Sequence, residues 1–183
     1  MSDVDLLFKQ NVTRDIPLMG KWEFPPIRGT TEIPEGLLGF NFAKTSNKHN
    51  QTIHFYVHDY QFERVWSKPD VYIKMLSRFR SCLTPDFSLY REMPLAMQLY
   101  NVFRSRMIGY LMEQGGIKVI PTLQWSDESS FDFCFDGLPQ RVVYSVSTVG
   151  VARDKIASKY PVFFRIRGIF YLAENLNRHT GHR

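Results

Sequence analysis

The chain has 183 residues, of which 44% are hydrophobic and 22% are charged, a composition typical of one folded domain. No run of residues approaches the ~20 apolar positions that a membrane-spanning helix needs. The first ten residues carry acids where a secretory signal carries bases. We therefore expect a cytoplasmic protein with no membrane partner, in which Cys82 and Cys134 stay as free, buried thiols.

The formal net charge of +5 comes from the C-terminal end of the chain. Residues 1–150 hold equal numbers of basic and acidic side chains, whereas residues 151–183 hold seven basic and two acidic ones. The basic side chains assigned to a binding segment are Arg153, Lys155, Lys159, Arg165, Arg167 and Arg178. This asymmetry favours an anionic partner such as nucleic acid. The alternative is a solvated basic helix that binds nothing.

Residues 1–52 are predicted to form an irregular N-terminal arm. A short helix capped by Ser2 is expected over Asp3–Gln10. The region 15–50 is rich in Pro, Gly, Thr and Asn, which is typical of turns. The apolar side chains expected to pack the arm onto the body are Trp22, Phe24, Leu37, Leu38 and Phe40.

Four strand–helix units are predicted after the arm. The strand candidates are residues 53–57, 81–85, 117–125 and 141–150. The helix candidates are residues 68–79 with Ser67 as cap and Pro69 in the first turn, 94–114, 128–135 with Asp127 or Ser126 as cap, and 151–159. The alternation predicts an α/β fold with a mainly parallel sheet, either a partial barrel or an open sheet. We expect a single domain, with the arm at 1–52, the α/β body at 53–150 and the basic segment at 151–183.

The helix over 94–114 has the strongest periodic pattern. The apolar stripe expected to be buried is Ala96, Tyr100, Phe103, Met107 and Leu111. The polar residues expected to lie away from that stripe are Gln98, Asn101 and Ser105, and Arg104 and Arg106 are expected on a solvated face.

Polar side chains follow the predicted strands at the points where they end. Functional groups of parallel α/β folds gather at the carboxyl ends of the strands. The candidate binding cluster is Asp59, Asp86, Ser88, Arg91, Trp125, Asp127 and Ser147. Its acids would suit Mg²⁺ or the polarisation of a water molecule, and Arg91 would suit a phosphate at a helix start. The alternative is that these residues only cap helices and form turns.

Recognised catalytic motifs are absent from the sequence. There is no phosphate-binding glycine loop, no CxxC, no HExxH and no GxSxG. His54 and His58 are four residues apart in a predicted strand, which is not a known metal-binding pattern. We therefore assign no catalytic residue, no metal site and no cofactor.

Four segments of the chain resemble a family whose description is domain of unknown function 4417. They are residues 59–72 (DYQFERVWSKPDVY), 83–106 (LTPDFSLYREMPLAMQLYNVFRSR), 116–139 (GIKVIPTLQWSDESSFDFCFDGLP) and 146–151 (VSTVGV). The family occurs in phages, plasmids and integrated elements, so the resemblance implies a phage or mobile-element protein in a bacterial cytoplasm. It implies no catalytic mechanism. The chain is expected to depart from the family pattern after Val151, where Pro161 interrupts the helix.

Three functions of different classes are compatible with these features. The phage setting and the basic segment favour a counter-defence protein, an anti-CRISPR inhibitor that binds a host nuclease or ribonucleoprotein such as Cas9. The basic segment also suits an accessory protein of replication or DNA maintenance. The acids at the strand ends favour an enzyme acting on phosphoesters.

Overall fold

The computed structural model describes residues 9–147 and the backbone of two later strands, 163–166 and 169–172. The helices are α1 (Gln10–Thr13), α2 (Glu63–Ser67), α3 (Pro69–Leu76), α4 (Leu95–Gln114) and α5 (Phe131–Cys134). The strands are β1 (Leu37–Gly39), β2 (Thr52–His54), β3 (Ser81–Leu83), β4 (Val119–Ile120), β5 (Thr122–Leu123), β6 (Tyr144–Ser147), β7 (Phe163–Ile166) and β8 (Ile169–Leu172). Single turns of 3₁₀ helix lie at Phe40–Phe42, Asp59–Gln61 and Glu128–Ser130. The helix predicted at 151–159 lies outside the described residues, as does most of the one predicted over Asp3–Gln10.

The fold is α/β with a mainly parallel arrangement, as the sequence predicted. One sheet has the order β1-β2-β3-β4, and all its neighbouring strands are parallel. The second sheet has the order β5-β6-β8-β7, in which β5 and β6 are parallel and the β7–β8 hairpin is antiparallel. Each parallel strand lies beside the one before it in the chain, so the carboxyl ends of β2, β3, β5 and β6 all point toward one edge.

The two sheets are joined where Pro121 separates β4 from β5. Proline has no N–H to donate and interrupts the ladder. Immediately after it, the Thr122 N–H donates to Thr84 Oγ1 at 2.8 Å, and Thr122 Oγ1 donates to the Thr84 carbonyl at 2.8 Å. The side chain of Thr84 therefore continues the pairing that the proline breaks. Among the described strands β1 and β7 do not pair, which favours an open arrangement over a closed barrel.

The main core lies between the first sheet and the helices that cover it. Its fully buried aromatic side chains include Phe55, Phe62 and Phe87, and the ring centroids of Phe62 and Phe87 are 5.1 Å apart. Both cysteines are buried and free, as predicted. Within the described residues, no helix has the length and apolar character needed to cross a membrane.

The N-terminal arm contains a strand that the sequence analysis missed. β1 lies inside the segment predicted to be irregular and pairs with β2 from Leu37–Thr52 to Gly39–His54. A three-residue strand is too short to produce a recognisable alternation. The expected packing of the arm is confirmed at Phe24 and Phe40, which are buried.

The predicted burial of α4 is wrong at its N-terminal half. Ala96 and Tyr100 are exposed, whereas Gln98, Asn101 and Ser105 are buried. The predicted stripe is buried only at Met107, and Phe103 and Leu111 are half-buried. Periodicity locates the face of a helix that contacts apolar neighbours, whereas the buried polar residues of α4 contact loop backbone that needs hydrogen bonds.

Two arginines of α4 were wrongly expected to be solvated. Arg106 is buried and donates from Nη2 to the Cys134 carbonyl at 2.9 Å. Arg104 is largely buried and forms an ion pair with Glu63. Long cationic side chains can be buried where a charged or carbonyl oxygen accepts from the guanidinium.

The predicted cap of α3 is also wrong. Ser67 is the last residue of α2, and its hydroxyl donates to the Glu63 carbonyl at 3.2 Å. Pro69 lies in the first turn of α3, as predicted. The proline marks the helix start because its missing N–H is not needed there.

Candidate functional site at the strand ends

A cleft of about 790 Å³ lies at the edge where the parallel strands end. Its wall is built from the segments that follow β2 and β3 and from the carboxyl ends of β5 and β6. The residues lining it are Tyr56, Val57, His58, Asp59, Tyr60, Gln61, Asp86, Phe87, Ser88, Leu89, Tyr90, Leu123, Gln124, Trp125, Val146 and Ser147. Four chain segments far apart in sequence therefore meet at one site, as expected for the carboxyl edge of a parallel sheet.

Asp59 is held in place by the neighbouring strand exit. Its Oδ2 accepts a hydrogen bond from the Ser88 N–H at 3.0 Å, and its Oδ1 accepts one from Ser88 Oγ at 2.9 Å. Both oxygens of the Asp59 carboxylate are therefore held by the same residue. Asp59 is thus a carboxylate of fixed orientation.

Asp86 is a carboxyl of different character in the same cleft. Burial, with a smaller contribution from the negative charge of Asp59, raises the pKa of Asp86 from 3.8 to about 7. Among the described residues, none donates a hydrogen bond to its carboxyl group. The cleft therefore contains one fixed carboxylate and one carboxyl that holds a proton near neutral pH, a contrast typical of acid–base sites.

Aromatic rings form much of the rest of the cleft. The side chains of Tyr60 and Tyr90 are 74% and 62% exposed, and Trp125 is half-buried with its ring 6.0 Å from that of Phe135. The His58 ring stacks on Tyr60 with a centroid distance of 6.0 Å and an interplanar angle of 13°. These rings offer flat apolar faces to a ligand.

Gln124 contributes an amide group with unusual surroundings. Its Nε2 and Oε1 atoms are both shielded from solvent, and neither has a hydrogen-bond partner in the part of the chain that the structure describes. Buried side-chain amides are nearly always paired, because an unpaired one loses its hydration without compensation. Gln124 is therefore a donor–acceptor pair in the cleft wall that is not used by the fold.

A network from α4 supports the Asp59–Ser88 contact. The Glu63 carboxylate accepts two bonds from Arg104 Nη1, at 2.9 and 2.8 Å, and Arg104 Nη2 donates to Asn101 Oδ1 at 2.7 Å. Asn101 Nδ2 in turn donates to the Ser88 carbonyl at 2.8 Å. The order Glu63–Arg104–Asn101–Ser88–Asp59 connects the helix to the cleft, so the buried polar face of α4 positions the site.

Gln98 ties two cleft segments together. Its Nε2 donates to the carbonyls of Met93 at 2.8 Å and Tyr90 at 3.2 Å. Its Oε1 accepts from Ser126 Oγ at 2.6 Å. The loop after β3 and the loop after β5 are thereby held by one side chain.

The structure brings most of the predicted cluster together. The predicted residues that line the cleft are Asp59, Asp86, Ser88, Trp125 and Ser147. The predicted cluster did not include the lining residues His58, Tyr60, Tyr90 and Gln124, although each lies within a few positions of a predicted strand end.

Asp127 and Arg91 do not line the cleft. Asp127 caps the 3₁₀ turn that follows β5, where Oδ1 accepts from the Ser129 N–H at 2.9 Å. Hydrogen bonds from Ser129 lower the pKa of Asp127, and the nearby charge of Arg91 adds to this effect. The capping alternative thus describes Asp127, and no arginine is found among the described residues that line the cleft. Within the described part of the chain, no three His, Cys, Asp or Glu side chains are grouped so as to hold a metal ion.

The basic C-terminal residues fall largely outside the described chain. This applies to Arg153, Lys155, Lys159, Arg167 and Arg178. Arg165 lies on β7, where its backbone is opposite Phe170 of β8. Their binding role stays a prediction from the sequence.

Comparison with known proteins shows where the chain belongs. A family model described as domain of unknown function (DUF4417) matches residues 16–178. The Gene 1 protein of Mycobacterium phage D29 is 36% identical over 149 residues, which are 80% of this chain and 55% of that protein. The Gene 1 protein of Mycobacterium phage L5 is 38% identical over 138 residues, 74% of this chain and 60% of that protein. The chain thus spans less than two thirds of either relative, and no solved structure matches it.

The family match also corrects one expectation from the sequence. It continues to residue 178, so the segment after Val151 does not depart from the family as expected. The antiparallel β7–β8 hairpin extends the sheet beside β6 in this segment. The chain therefore belongs to the DUF4417 family, a family of unknown function whose members include phage proteins.

Proposed function

We propose that the cleft is a ligand-binding site in which Asp86 exchanges a proton with an uncharged polar ligand. The observation that carries this proposal is the placement of two unlike carboxyl groups in one cleft. Asp59 is fixed by two bonds from Ser88, and Asp86 has a pKa raised to about 7. A group whose pKa lies near the ambient pH both gives and accepts a proton readily.

The charge of the cleft decides which ligands fit. None of the described lining residues is Lys or Arg, whereas two are acidic. A phosphoester or a free carboxylate would enter a negative field without a compensating cation. The phosphoester alternative is therefore not favoured by the cleft, and an uncharged ligand with hydrogen-bonding groups fits better.

The two carboxyl groups have different roles in this proposal. Asp86 donates its proton to a basic atom of the ligand, and the exposed side of the cleft gives it access to solvent for reprotonation. The Asp59 carboxylate stabilises positive charge that develops on the ligand. Asn101 is a positioning residue, because it holds the Ser88 carbonyl and thereby the donors to Asp59.

Ligand-observed NMR with a library of small polar compounds tests the proposal. The matched pair of variants is Asp86→Leu, which removes the cleft carboxyl, and Asp70→Asn, which changes an exposed acid on α3 outside the cleft. We expect compounds that bind the wild type and Asp70→Asn but not Asp86→Leu. Binding that is the same in all three proteins would contradict the proposal.

Counter-defence is a second proposed function, favoured by the phage origin of both relatives. In this proposal the protein binds and inhibits a host CRISPR nuclease or its ribonucleoprotein. Its direct test is the cleavage of target DNA by a purified nuclease in the presence of increasing amounts of the protein. Unchanged cleavage by each nuclease of the phage's host would count against this function and leave the cleft proposal intact.

Nucleic-acid binding through the basic segment is the remaining proposal from the sequence. Contacts to phosphates release counterions, so such binding weakens steeply with salt. Replacing Arg165, Arg167 and Arg178 with Gln should flatten the salt dependence of binding to DNA. An unchanged affinity and an unchanged salt slope would show that these residues do not contact phosphates.

A further inference from the structure

Two groups in the cleft can each donate and accept a hydrogen bond at adjacent atoms. The protonated carboxyl of Asp86 offers an O–H donor beside a C=O acceptor, and the Gln124 amide offers N–H donors beside a C=O acceptor. Both side chains line the same cleft. The Gln124 amide forms no hydrogen bond with the described residues. Turning Gln124 toward a ligand therefore breaks no existing hydrogen bond.

Flat ring faces border these two groups. Tyr60 and Tyr90 are among the most exposed large side chains of the described chain, and Trp125 lines the cleft as well. A nucleobase that stacks on such faces gains binding free energy with little dependence on which base it is. The cleft thus suits a planar ring with hydrogen-bonding atoms at its edge.

We propose that the cleft binds the amidine edge of a nucleobase, as found in adenine and cytosine. In an amidine edge, a ring nitrogen accepts a hydrogen bond and the adjacent exocyclic amine donates one. A neutral carboxylic acid matches this edge with two bonds, O–H to ring nitrogen and amine to C=O. It can also pair with the lactam edge of inosine or uridine, but its O–H then meets a carbonyl oxygen, which is a much weaker base than the ring nitrogen. None of the described lining residues is Lys or Arg, so these residues leave any phosphate of the ligand without a cationic partner. This inference rests on the proposed function of the same cleft.

The alternative ligand is a permanent organic cation, such as the guanidinium of an arginine side chain. A cation is attracted to ionised Asp86, whereas an amidine edge needs the protonated carboxyl. The two ligands therefore respond to pH in opposite directions. Binding of a nucleobase should weaken as the pH rises above 7, and binding of a cation should strengthen.

Other titratable groups of the described chain line the same cleft as Asp86, so their contribution to the pH dependence of binding must be measured separately. They are Asp59, His58, Tyr56, Tyr60 and Tyr90, all of which line the cleft. Among these residue types, histidine is the one that ordinarily titrates between pH 5 and 8. The variant His58→Gln removes this contribution.

Isothermal titration calorimetry of the full chain at pH 6 and pH 8.5 tests the inference. The probes are adenosine and cytidine, their matched analogues inosine and uridine, which have a carbonyl in place of the amine, and arginine methyl ester. We expect adenosine or cytidine to bind at least about tenfold more tightly than its analogue at pH 6 and to lose most of this affinity at pH 8.5. His58→Gln should behave as the wild type does. A short single-stranded oligonucleotide of dA or dC, titrated in parallel, shows whether the base is taken from a free nucleoside or from a strand.

Two variants of Asp86 sharpen the test. Asp86→Asn keeps a donor beside an acceptor but does not titrate, so it should bind the nucleoside equally at both pH values. Asp86→Leu should lose binding by about tenfold or more at both. Folding of each variant is checked by its urea midpoint.

The outcomes separate the inference from the proposed function. Equal binding of inosine or uridine, or preferred binding of arginine methyl ester, would overturn the nucleobase inference. Failure of every nucleoside, combined with Asp86-dependent binding of another compound, would overturn it and leave the proposed function standing. Absence of any Asp86-dependent ligand would overturn both.

Discussion

Replacing Asp86 with Asn should stabilise the protein at alkaline pH and leave it nearly unchanged at acidic pH. In the folded protein Asp86 keeps its proton up to about pH 7, whereas the ordinary pKa of Asp is 3.8. The folded state therefore binds more protons than the unfolded state between these values. Stability from this group is present below the lower pKa and is lost as the pH rises through the higher one. Asn carries no charge and avoids this loss.

The size of the effect follows from the pKa difference. A shift of one pKa unit corresponds to about 1.4 kcal/mol, so a shift from 3.8 to about 7 sets an upper limit of about 4 kcal/mol at pH 8. Asp86 is partly exposed to the cleft, and solvent screens its charge. We therefore expect Asp86→Asn to raise the free energy of unfolding by on the order of 1–2 kcal/mol at pH 8, with the gain shrinking toward zero near pH 4.

Urea unfolding of both proteins from pH 4 to pH 8.5 measures this difference. The control is Asp70→Asn, at an exposed position where a change of more than about 0.5 kcal/mol is not expected at any pH. If Asp86→Asn is no more stable than the wild type at pH 8, ionised Asp86 does not destabilise the fold. The same conclusion follows if the difference in stability between the two proteins does not vary with pH. A gain would show that the fold carries Asp86 at a cost, as is common for residues of functional sites.

Three further predictions concern the packing that supports the cleft. Gln98→Ala should lower the free energy of unfolding by about 1–3 kcal/mol, because it leaves loop carbonyls and Ser126 without their hydrogen-bond partner. The control Met97→Ala, on the exposed side of α4, should lower it by less than about 0.5 kcal/mol. Equal losses of stability in urea unfolding would show that Gln98 does not lie on the buried face of the helix. Phe87→Ala should cost about 3–5 kcal/mol, since the ring is fully buried, and a loss below about 1 kcal/mol would show that the core is not formed as described. Cys82 and Cys134 should not react with a thiol reagent at pH 8 until urea unfolds the chain. Burial raises the pKa of both thiols, that of Cys134 to about 12, so the reactive thiolate is scarce in the native protein. Rapid modification of the native protein would contradict the burial of these thiols.

The type of fold, and the edge of the sheet at which the site lies, are both predictable from the sequence. Apolar runs near residues 53, 81, 119 and 144 alternate with helical segments, and this alternation permits few arrangements other than a parallel sheet. Once the sheet is parallel, the residues after each strand must share an edge. For this reason the sequence alone predicts that Asp59, Asp86 and Ser147 lie together, and all three line the cleft.

Which polar side chains support the site is evident only from the tertiary structure. Periodicity ranks positions by hydrophobicity, so it placed Gln98 and Asn101 on the solvent side of α4, although both are buried against loop carbonyls. Asp127 and Asp86 occupy equivalent places in the sequence, yet one accepts the N–H of a turn and the other lies in the cleft beside Asp59.

The burial and the hydrogen bonding of a polar side chain both depend on contacts between segments that are far apart in the chain. Whether a polar group is buried, paired or charged is set by the donors, acceptors and charges that other parts of the chain bring to it. The pKa of Asp86 depends on its burial and on Asp59, which is 27 positions earlier in the chain. The amide of Gln124 is likewise unpaired because no described residue brings a hydrogen-bond donor or acceptor to it. The sequence specifies the type of each side chain, whereas its surroundings are set by the folded chain.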